Sequence, residues 1–320
     1  MKFCHFLPSN QDIYHLGVAV SIDTLLDLTS VFANDNNFKS LENFINATLP
    51  LSIVQEKINL AVEGKLDEFL YDIKESKLGI SIHPAQIRCF SVYEKHLKNA
   101  FGQFVKNNFN PFAQILIKIF GIAKIPKGFY KLPIYYKGTR LNLSGQEDSI
   151  NPPQGGSKLD YEVELGVIIG KAGKNIPKEK ALEFIFGYVL FNDFSERDLL
   201  IQELRTKPSA GPAKGKDFDG SNAIGPWVVT ADEIKNPNNL TANIKVNGET
   251  RGSGSTSEMT HSIASIIAYA SWNETIYPGE LLATGCVPQC SGVEVWNFLK
   301  SGDIVEAEIE KLGLLRNYIA

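Results

Sequence analysis

The spacing of apolar and polar residues changes character along the chain. In the first third, apolar residues recur at three- and four-residue intervals over residues 41–49 and 53–62, which predicts short amphipathic helices. Residues 17–22 are rich in β-branched side chains and predict a strand. A longer helical pattern covers residues 92–120 and is interrupted at 107–111, where a proline ends or restarts the helix.

From residue 159 onward the pattern is mainly that of strands separated by glycine, proline and asparagine. The predicted strands are residues 159–170, 185–192, 224–230, 240–246, 280–284 and 304–309. One helix is predicted over residues 262–269, and a proline- and glycine-rich connection over 125–156. We predict a small α/β amino-terminal domain at residues 1–85 and a larger, strand-dominated domain at 86–320, hence an α+β protein.

Composition excludes several classes of function. The 320 residues carry 32 Lys plus Arg against 36 Asp plus Glu, a net charge of −4, which argues against a nucleic-acid partner. The longest apolar run, residues 184–191, is far shorter than the ~20 residues that span a bilayer, so no membrane partner is expected. The four cysteines form no CxxC pair and are typical of reduced thiols, which predicts a cytoplasmic protein.

The stretch at residues 159–170 carries the first candidate chemistry. Alternate side chains on a strand share a face, so Asp160, Glu162 and Glu164 are predicted to point the same way. Such carboxylates repel one another unless a cation, a basic group or water compensates, and oxygen-rich clusters suit Mg²⁺, Ca²⁺ or Mn²⁺. The alternative is the solvated face of an edge strand.

A second acidic residue follows a strand that is apolar on both faces. Residues 184–191 lead directly into Asp193, the natural third oxygen ligand, and Arg197 lies four residues further on. The planar guanidinium of Arg197 could clamp a substrate carboxylate. The alternative is a helix amino-cap in which Asp198 pairs with an arginine.

A glycine-rich segment at residues 211–220 offers Lys214 and Lys216 to an anionic ligand. Its spacing matches neither the phosphate-binding GxxxxGK[ST] loop nor the dinucleotide-binding GxGxxG loop. Neither HExxH nor a serine elbow occurs, and the five histidines and four cysteines lack zinc-ligand spacing.

Taken in order, these motifs resemble those of the fumarylacetoacetate hydrolase family. The matching stretches are DYEVELG at residues 160–166, FNDFSERD at 191–198, GPAKGKD at 211–217 and GPW at 225–227. The resemblance covers roughly residues 85–320. It implies a mixed β-sandwich roll as the catalytic domain and a homodimer. It also implies an enzyme acting on 2-oxo or β-diketo acids by C–C hydrolysis, decarboxylation, hydration or isomerisation.

The resemblance also implies roles for individual residues. These are metal ligation by Glu162, Glu164 and Asp193, proton transfer by His96, catalytic anion contact by Lys216, and substrate binding by Arg197 and Tyr136. The metal would be Mg²⁺ in the first instance, with Mn²⁺ or Ca²⁺ as alternatives. Without the resemblance, His96 reads as a surface histidine on a helix, because charged residues surround it in the sequence.

The chain departs from the family pattern at several positions. The departures are Cys89 in place of an aspartate, Leu200 in place of a glutamine, Cys286 in place of a threonine, and Asn99 where the acylpyruvate hydrolases have a glutamate. The loop at residues 281–290 contains no glutamate to orient His96, although Glu294 lies just beyond it. The metal site is therefore better supported than a hydrolytic dyad.

The resemblance predicts a divalent-metal-dependent hydrolase that cleaves a C–C bond in a fumarylacetoacetate- or acylpyruvate-like diketo acid. Its partner would be a small-molecule carboxylic acid. Two alternatives remain open: a 2-oxo acid decarboxylase, hydratase or isomerase that uses the same metal site, and a metal-binding homologue without turnover.

Overall fold

A computed structural model describes residues 1–9, 11–121, 124–206 and 211–320. The helices are α1 (Leu28–Val31), α2 (Leu41–Asn46), α3 (Leu51–Val62), α4 (Glu94–Asn108), α5 (Pro111–Ile119), α6 (Arg197–Arg205) and α7 (Ile263–Ala270). Short 3-10 turns cover Asn36–Phe38, Asp67–Phe69, Lys127–Tyr130, Lys178–Phe184, Ala231–Glu233, Thr256–Glu258 and Gly292–Glu294.

The strands follow in chain order. They are β1 (Lys2–Leu7), β2 (His15–Ala19), β3 (Thr24–Asp27), β4 (Leu70–Asp72), β5 (Lys77–Leu78), β6 (Ile87–Phe90), β7 (Tyr135–Gly138), β8 (Leu143–Ser144), β9 (Ser149–Ile150), β10 (Leu159–Asp160), β11 (Glu162–Ile169), β12 (Gly173–Lys174), β13 (Ile185–Asp193), β14 (Ser195–Glu196), β15 (Asn222–Thr230), β16 (Thr241–Val246), β17 (Glu249–Ser255), β18 (Thr275–Ile276), β19 (Leu281–Ser291), β20 (Ile304–Ile309) and β21 (Gly313–Ile319).

Two sheets form the framework of the molecule. The larger runs in the order β4-β3-β2-β1-β15-β13-β11-β19-β6-β7, with β5 beside β1 and β8 beside β15. The smaller runs β17-β16-β20-β21-β9. One hydrophobic cluster joins them, since it contains Val163 and Leu165 of β11, Ile244 of β16 and Ala307 of β20. The two sheets therefore pack face to face around a shared core, as in a sandwich.

The first 85 residues extend the larger sheet. Strand β1 pairs antiparallel with β15, with Phe3 opposite Val228. A second hydrophobic cluster contains Phe3 and Phe44 together with Ile168 of β11. Residues 1–85 and 86–320 thus share a sheet and a core, and their division into two domains stays a prediction.

The helix predictions are confirmed where the apolar period is clear. The break predicted at residues 107–111 separates α4 from α5, because the Asn110 side chain accepts a hydrogen bond from Ala113 N and Pro111 takes the first helical position. In α7, Ile263, Ile266 and Ile267 are buried.

The strand predictions need two corrections. The strand predicted over 159–170 is broken at Tyr161 into β10 and β11, and the one predicted over 280–284 continues to Ser291 as β19. The mixed α+β class is confirmed. No helix among the described residues is long and apolar enough to cross a membrane.

Candidate active site

Neighbouring strands bring three carboxylates together. Strands β11 and β13 pair antiparallel with Glu164 opposite Phe191, which places Asp193 at the end of β13 beside the start of β11. One oxygen from each of Glu162, Glu164 and Asp193 lies within 4.8 Å of the others, and all three side chains are buried. Burying like charges together is unfavourable unless a cation balances them.

The electrostatics of the cluster reflect this crowding. Burial raises the pKa of Glu164 well above its usual range, and the charges of Asp193 and Glu162 raise it further. Burial also raises the pKa of Asp193, although Lys216 opposes the change. Burial alone would raise the pKa of Glu162 as well. The positive charges of Lys216 and Arg197 have a larger, opposite effect, so the pKa of Glu162 lies below its usual range.

The cluster fits a hard divalent cation. Its donors are all carboxylate oxygens, the ligands that Mg²⁺, Mn²⁺ and Ca²⁺ prefer. The Oδ1 atom of Asp193 is buried and has no hydrogen-bond partner among the described residues. A buried acceptor without a donor is costly, and a bound cation would satisfy it.

Lys216 lies directly against the carboxylates. Its Nζ atom donates to Glu162 Oε2 at 2.8 Å and to Asp193 Oδ2 at 2.7 Å. Burial lowers the pKa of this ammonium, but the two carboxylates outweigh burial and raise it, so Lys216 stays charged. The preceding Gly215 lets this segment approach α6, because a Cβ there would lie 2.6 Å from the backbone nitrogen of Leu200.

Arg197, at the start of α6, is held by protein carboxylates. Its Nε donates to Asp160 Oδ2 at 2.7 Å, and its Nη2 donates to Glu162 Oε1 at 2.5 Å and to Ser291 Oγ at 3.1 Å. Its Nε and Nη2 atoms are engaged with these partners, and the guanidinium also borders the active-site cavity, so its predicted contact with substrate stays a prediction. In this structure it neutralises the buried carboxylates.

Asp160 lies outside the group of three carboxylates but stays linked to Glu162, because Arg197 Nη2 lies 2.6 Å from Asp160 Oδ2 and 2.5 Å from Glu162 Oε1. Its carboxylate accepts hydrogen bonds from the backbone nitrogens of Gly292 and Val293 at 2.6 and 3.0 Å. The strict alternation of a strand does not apply because the strand is interrupted between Asp160 and Glu162.

His96, in the first turn of α4, is buried and paired with a glutamate. Its Nδ1 lies 2.8 Å from Glu294 Oε1, and its Nε2 lies 3.7 Å from Glu162 Oε1. Glu294 also accepts from Asn99 Nδ2 at 2.7 Å and from the backbone nitrogen of Gln289 at 2.9 Å. Because an ionised carboxylate only accepts hydrogen bonds, Nδ1 is the donor to Glu294, and Nε2 faces the carboxylate cluster.

Tyr136 and Cys89 complete the floor of the site. They lie opposite each other on β7 and β6, and the Tyr136 hydroxyl donates to Asp193 Oδ2 at 2.7 Å. Burial raises the pKa of the Cys89 thiol well above its usual range, and the charges of Asp193 and Glu164 raise it further. Cys89 therefore adds no fourth negative charge to the cluster.

A cavity of about 570 Å³ opens above the carboxylates. Its apolar wall comes mainly from α4 and α6 and includes Phe90, Leu97, Ala100, Phe101, Phe104, Leu200, Ile201, Leu204 and Val293. At its exposed side the Arg205 guanidinium lies 5.9 Å from the centre of the Phe104 ring. The sequence analysis did not predict that α4 lines the site. The apolar residues at 97, 100, 101 and 104 nevertheless follow His96 at helical spacing, a pattern that could have indicated it.

Comparison with known proteins identifies the family of the chain. Residues 95–320 match the family described as the fumarylacetoacetate hydrolase C-terminal domain. A 2,4-didehydro-3-deoxy-L-rhamnonate hydrolase from a Sphingomonas species is 36% identical over 190 residues, which are 59% of this chain and 65% of that protein. A putative hydrolase from Burkholderia cenocepacia is 37% identical over 185 residues, 57% of this chain and 64% of that protein. The matched stretch thus spans just under two thirds of these curated relatives.

Solved structures share the fold over the whole chain. A fumarylacetoacetate hydrolase from Exiguobacterium antarcticum superposes with a TM-score of 0.73 at 25% identity, covering 100% of this chain and 99% of that one. A maleylpyruvate hydrolase from a Sphingobium species superposes with a TM-score of 0.69 at 21% identity, with the same coverage. The fold class predicted from the resemblance is therefore confirmed. The chain belongs to the fumarylacetoacetate hydrolase family.

Proposed function

We propose that this protein is a divalent-metal-dependent hydrolase that cleaves a C–C bond in a diketo acid of the acylpyruvate type. One observation carries the proposal. The imidazole of His96 is oriented by Glu294 so that its Nε2 faces the carboxylate cluster. A decarboxylase needs the cation but no general base, so the buried pair favours hydrolysis over decarboxylation. A tautomerase would use the same pair to move a proton between carbon and oxygen, and analysis of the products separates it from a hydrolase.

The bound cation would polarise the substrate ketone oxygens and stabilise negative charge on an enolate. Glu162, Glu164 and Asp193 would hold it, and we expect Mg²⁺ in preference to Mn²⁺ or Ca²⁺. Lys216 keeps a positive charge beside the same carboxylates, where it can contact a substrate oxygen. Tyr136 orients Asp193 through its hydroxyl and borders the cavity, where it would contact substrate.

The chemical step follows from the His96–Glu294 pair. Nε2 of His96 takes a proton from water as the water oxygen bonds to the distal carbonyl carbon, and the Glu294 carboxylate stabilises the resulting imidazolium. The bond between that carbon and the methylene then breaks, and its electron pair forms the enolate of pyruvate. The enolate carbon takes a proton back, so the products are a carboxylic acid and pyruvate.

The cavity wall favours an apolar acyl group on the substrate. Above the polar floor, the surface presented by α4 and α6 is made of leucine, isoleucine, alanine and phenylalanine side chains. A sugar-derived acid would leave hydroxyl groups without partners on such a wall, which is unfavourable. An acyl chain would gain free energy from its burial.

A second candidate has one observation in its favour. Arg205 lies at the exposed side of the cavity with no carboxylate partner among the described ion pairs. A fumaryl-type substrate, whose far end is a carboxylate, could pair with it. Comparing turnover of an acylpyruvate and a fumarylpyruvate in wild type and Arg205→Gln decides between them, because only the dicarboxylate should lose affinity.

The proposal is tested by separating metal binding from turnover. Calorimetric titration with Mg²⁺ should show binding to wild type and to His96→Gln but not to Glu164→Gln. Of these three proteins, only wild type should turn over the substrate. Glu308→Gln, on an exposed strand position, serves as the matched control. Turnover that survives in Glu164→Gln would contradict the mechanism. Mg²⁺ binding to wild type without turnover of either the acylpyruvate or the fumarylpyruvate would identify an inactive homologue.

We also propose a cytoplasmic homodimer. The four cysteines are buried and free, as expected for thiols in a reducing compartment. Sedimentation equilibrium tests the oligomeric state.

A further inference from the structure

Helix α5 carries an apolar stripe that faces solvent. Phe112, Ile115, Leu116 and Ile119 recur at helical spacing and so lie along one side of the helix. Their exposed fractions are 71%, 56%, 36% and 70%, and no residue of α5 is buried. A stripe of this kind normally packs against a core, and contiguous exposed apolar surface marks a site of interaction.

The stripe is fixed to the body of the protein through α4. The Gln114 side chain donates to the backbone oxygens of Lys106 and Phe109 at 3.3 and 2.8 Å, which ties α5 to the end of α4. The inner side of α4 meanwhile lines the active-site cavity with Leu97 and Phe104. The outer helix of this α4–α5 hairpin is therefore presented outward.

The hairpin and the segment that follows it are rich in basic residues. Between residues 95 and 146 the sequence contains no aspartate or glutamate, although the whole chain has a net charge of −4. The basic residues of this segment are Lys95, Lys98, Lys106, Lys118, Lys124, Lys127, Lys131, Lys137 and Arg140. Lys95 pairs with Glu258 and Lys98 with Glu94. Among the described ion pairs, none involves Lys106, Lys118 or the three lysines at 124, 127 and 131.

We propose that the α4–α5 hairpin docks on an anionic lipid bilayer surface, with the α5 stripe at the boundary between headgroups and acyl chains. The apolar face of α5, with the unpaired Lys118 on the same helix and the unpaired Lys106 near the end of α4, matches such a surface in both polarity and charge. The nine residues of α5 are too few to span a bilayer, but a helix lying in the interface needs no spanning length. The proposal therefore departs from the expectation of no membrane partner, which was based only on the lack of a spanning segment.

The charge of the hairpin argues against a second copy of the chain as the partner that covers the α5 stripe. A two-fold contact puts the same patch of both subunits face to face. Such a contact through α5 would bring Lys106 and Lys118 of both copies together without acidic partners, which is destabilising.

Docking would place the cavity near the membrane, because α4 separates the stripe from the cavity. This consequence rests on the proposed function, since it suits a substrate with an apolar acyl group. The docking itself does not depend on it. Membrane docking and the proposed hydrolase activity are tested separately, because vesicle binding is measured without substrate.

The test is flotation of the full chain with lipid vesicles. We expect binding to vesicles of phosphatidylcholine mixed with phosphatidylserine, weaker binding as salt increases, and little binding to phosphatidylcholine alone. Replacing Ile115 and Ile119 by serine should lower the partition coefficient roughly tenfold per side chain. Replacing Lys106 and Lys118 by glutamine should lower it about fivefold per lysine.

Matched controls use exposed residues elsewhere on the protein. Ile22→Ser and Lys171→Gln remove an exposed isoleucine and an exposed lysine outside the hairpin and should leave binding unchanged. Thermal unfolding of each variant confirms that it folds. Absence of binding to the anionic vesicles overturns the proposal. The proposal is also overturned if wild type does not bind vesicles but forms a dimer that the Ile115→Ser/Ile119→Ser variant abolishes. The apolar face would then be a subunit interface.

Discussion

Replacing Glu294 by glutamine tests the catalytic pair without changing the shape of the site. Three donors meet on this carboxylate: His96 Nδ1 at 2.8 Å, the Gln289 backbone nitrogen at 2.9 Å and Asn99 Nδ2 at 2.7 Å. A glutamine oxygen can still accept from His96 and Gln289, and its NH₂ group can face Asn99 if that amide turns to present its oxygen. The substitution therefore removes the charge and keeps the hydrogen bonds.

The magnitude follows from that difference. Charge-assisted hydrogen bonds contribute more than neutral ones, so Glu294→Gln should lower the free energy of unfolding by only about 1–2 kcal/mol. The effect on kcat should be larger, roughly a hundredfold or more, because an uncharged partner no longer stabilises the imidazolium that forms when His96 accepts a proton. The KM and the Mg²⁺ affinity should change little, since Glu294 belongs to neither the carboxylate cluster nor the apolar wall.

The assay is steady-state cleavage of an acylpyruvate, with Mg²⁺ titration and urea unfolding on the same protein preparations. Glu308→Gln is the control for loss of a glutamate charge on an exposed strand. Because the two residues act as one unit, His96→Gln combined with Glu294→Gln should be no slower than His96→Gln alone. Wild-type kcat in Glu294→Gln, or a change confined to KM, would refute the reasoning.

Three further predictions concern stability. Arg197→Met removes the guanidinium from two buried carboxylates, of which Asp160 keeps only uncharged donors while Glu162 keeps Lys216, and should cost about 3–5 kcal/mol in urea unfolding; a loss under 1 kcal/mol would contradict this. Burial alone would raise the pKa of Glu42, but hydrogen bonds from His83 outweigh it and lower the pKa to about 2. The Glu42 carboxylate should therefore stabilise the fold at pH values above the usual glutamate pKa and lose that effect as the pH falls toward 2. The difference in unfolding free energy between wild type and Glu42→Gln should narrow in acid, and a difference that is constant with pH would refute the prediction. Gly252→Ala puts a Cβ 1.8 Å from the backbone oxygen of Gln289 and should lower the melting temperature and turnover together; an unchanged melting temperature would refute it.

Much of the carboxylate cluster is predictable from local sequence. Glu162 and Glu164 sit two residues apart on one strand, and Asp193 ends a strand that is apolar on both faces, so local patterns alone single out all three. The position of Asp160 is not predictable in this way. The strand breaks between Asp160 and Glu162, and the carboxylate of Asp160 turns to backbone groups of a distant segment.

The catalytic pair depends on tertiary structure. His96 and Glu294 are 198 positions apart, and their contact depends on how the 3-10 turn at Gly292–Glu294 packs against α4. Helical periodicity identifies α5 but not its exposure, because an apolar stripe ordinarily predicts a buried face. Strand β17, with the sequence ETRGSGS, has no apolar alternation, and its pairing with β16 is visible only in the structure.

The most direct test of the account is cleavage of an acylpyruvate in water labelled with a heavy oxygen isotope, with Mg²⁺ and with EDTA. Hydrolysis predicts that the released acyl carboxylic acid gains one labelled oxygen, that pyruvate forms in equal amount, and that EDTA or Glu164→Gln abolishes both products. Release of carbon dioxide or isomerised substrate, with no label in a carboxylic acid product, would contradict the assignment of His96 and Glu294 to water activation.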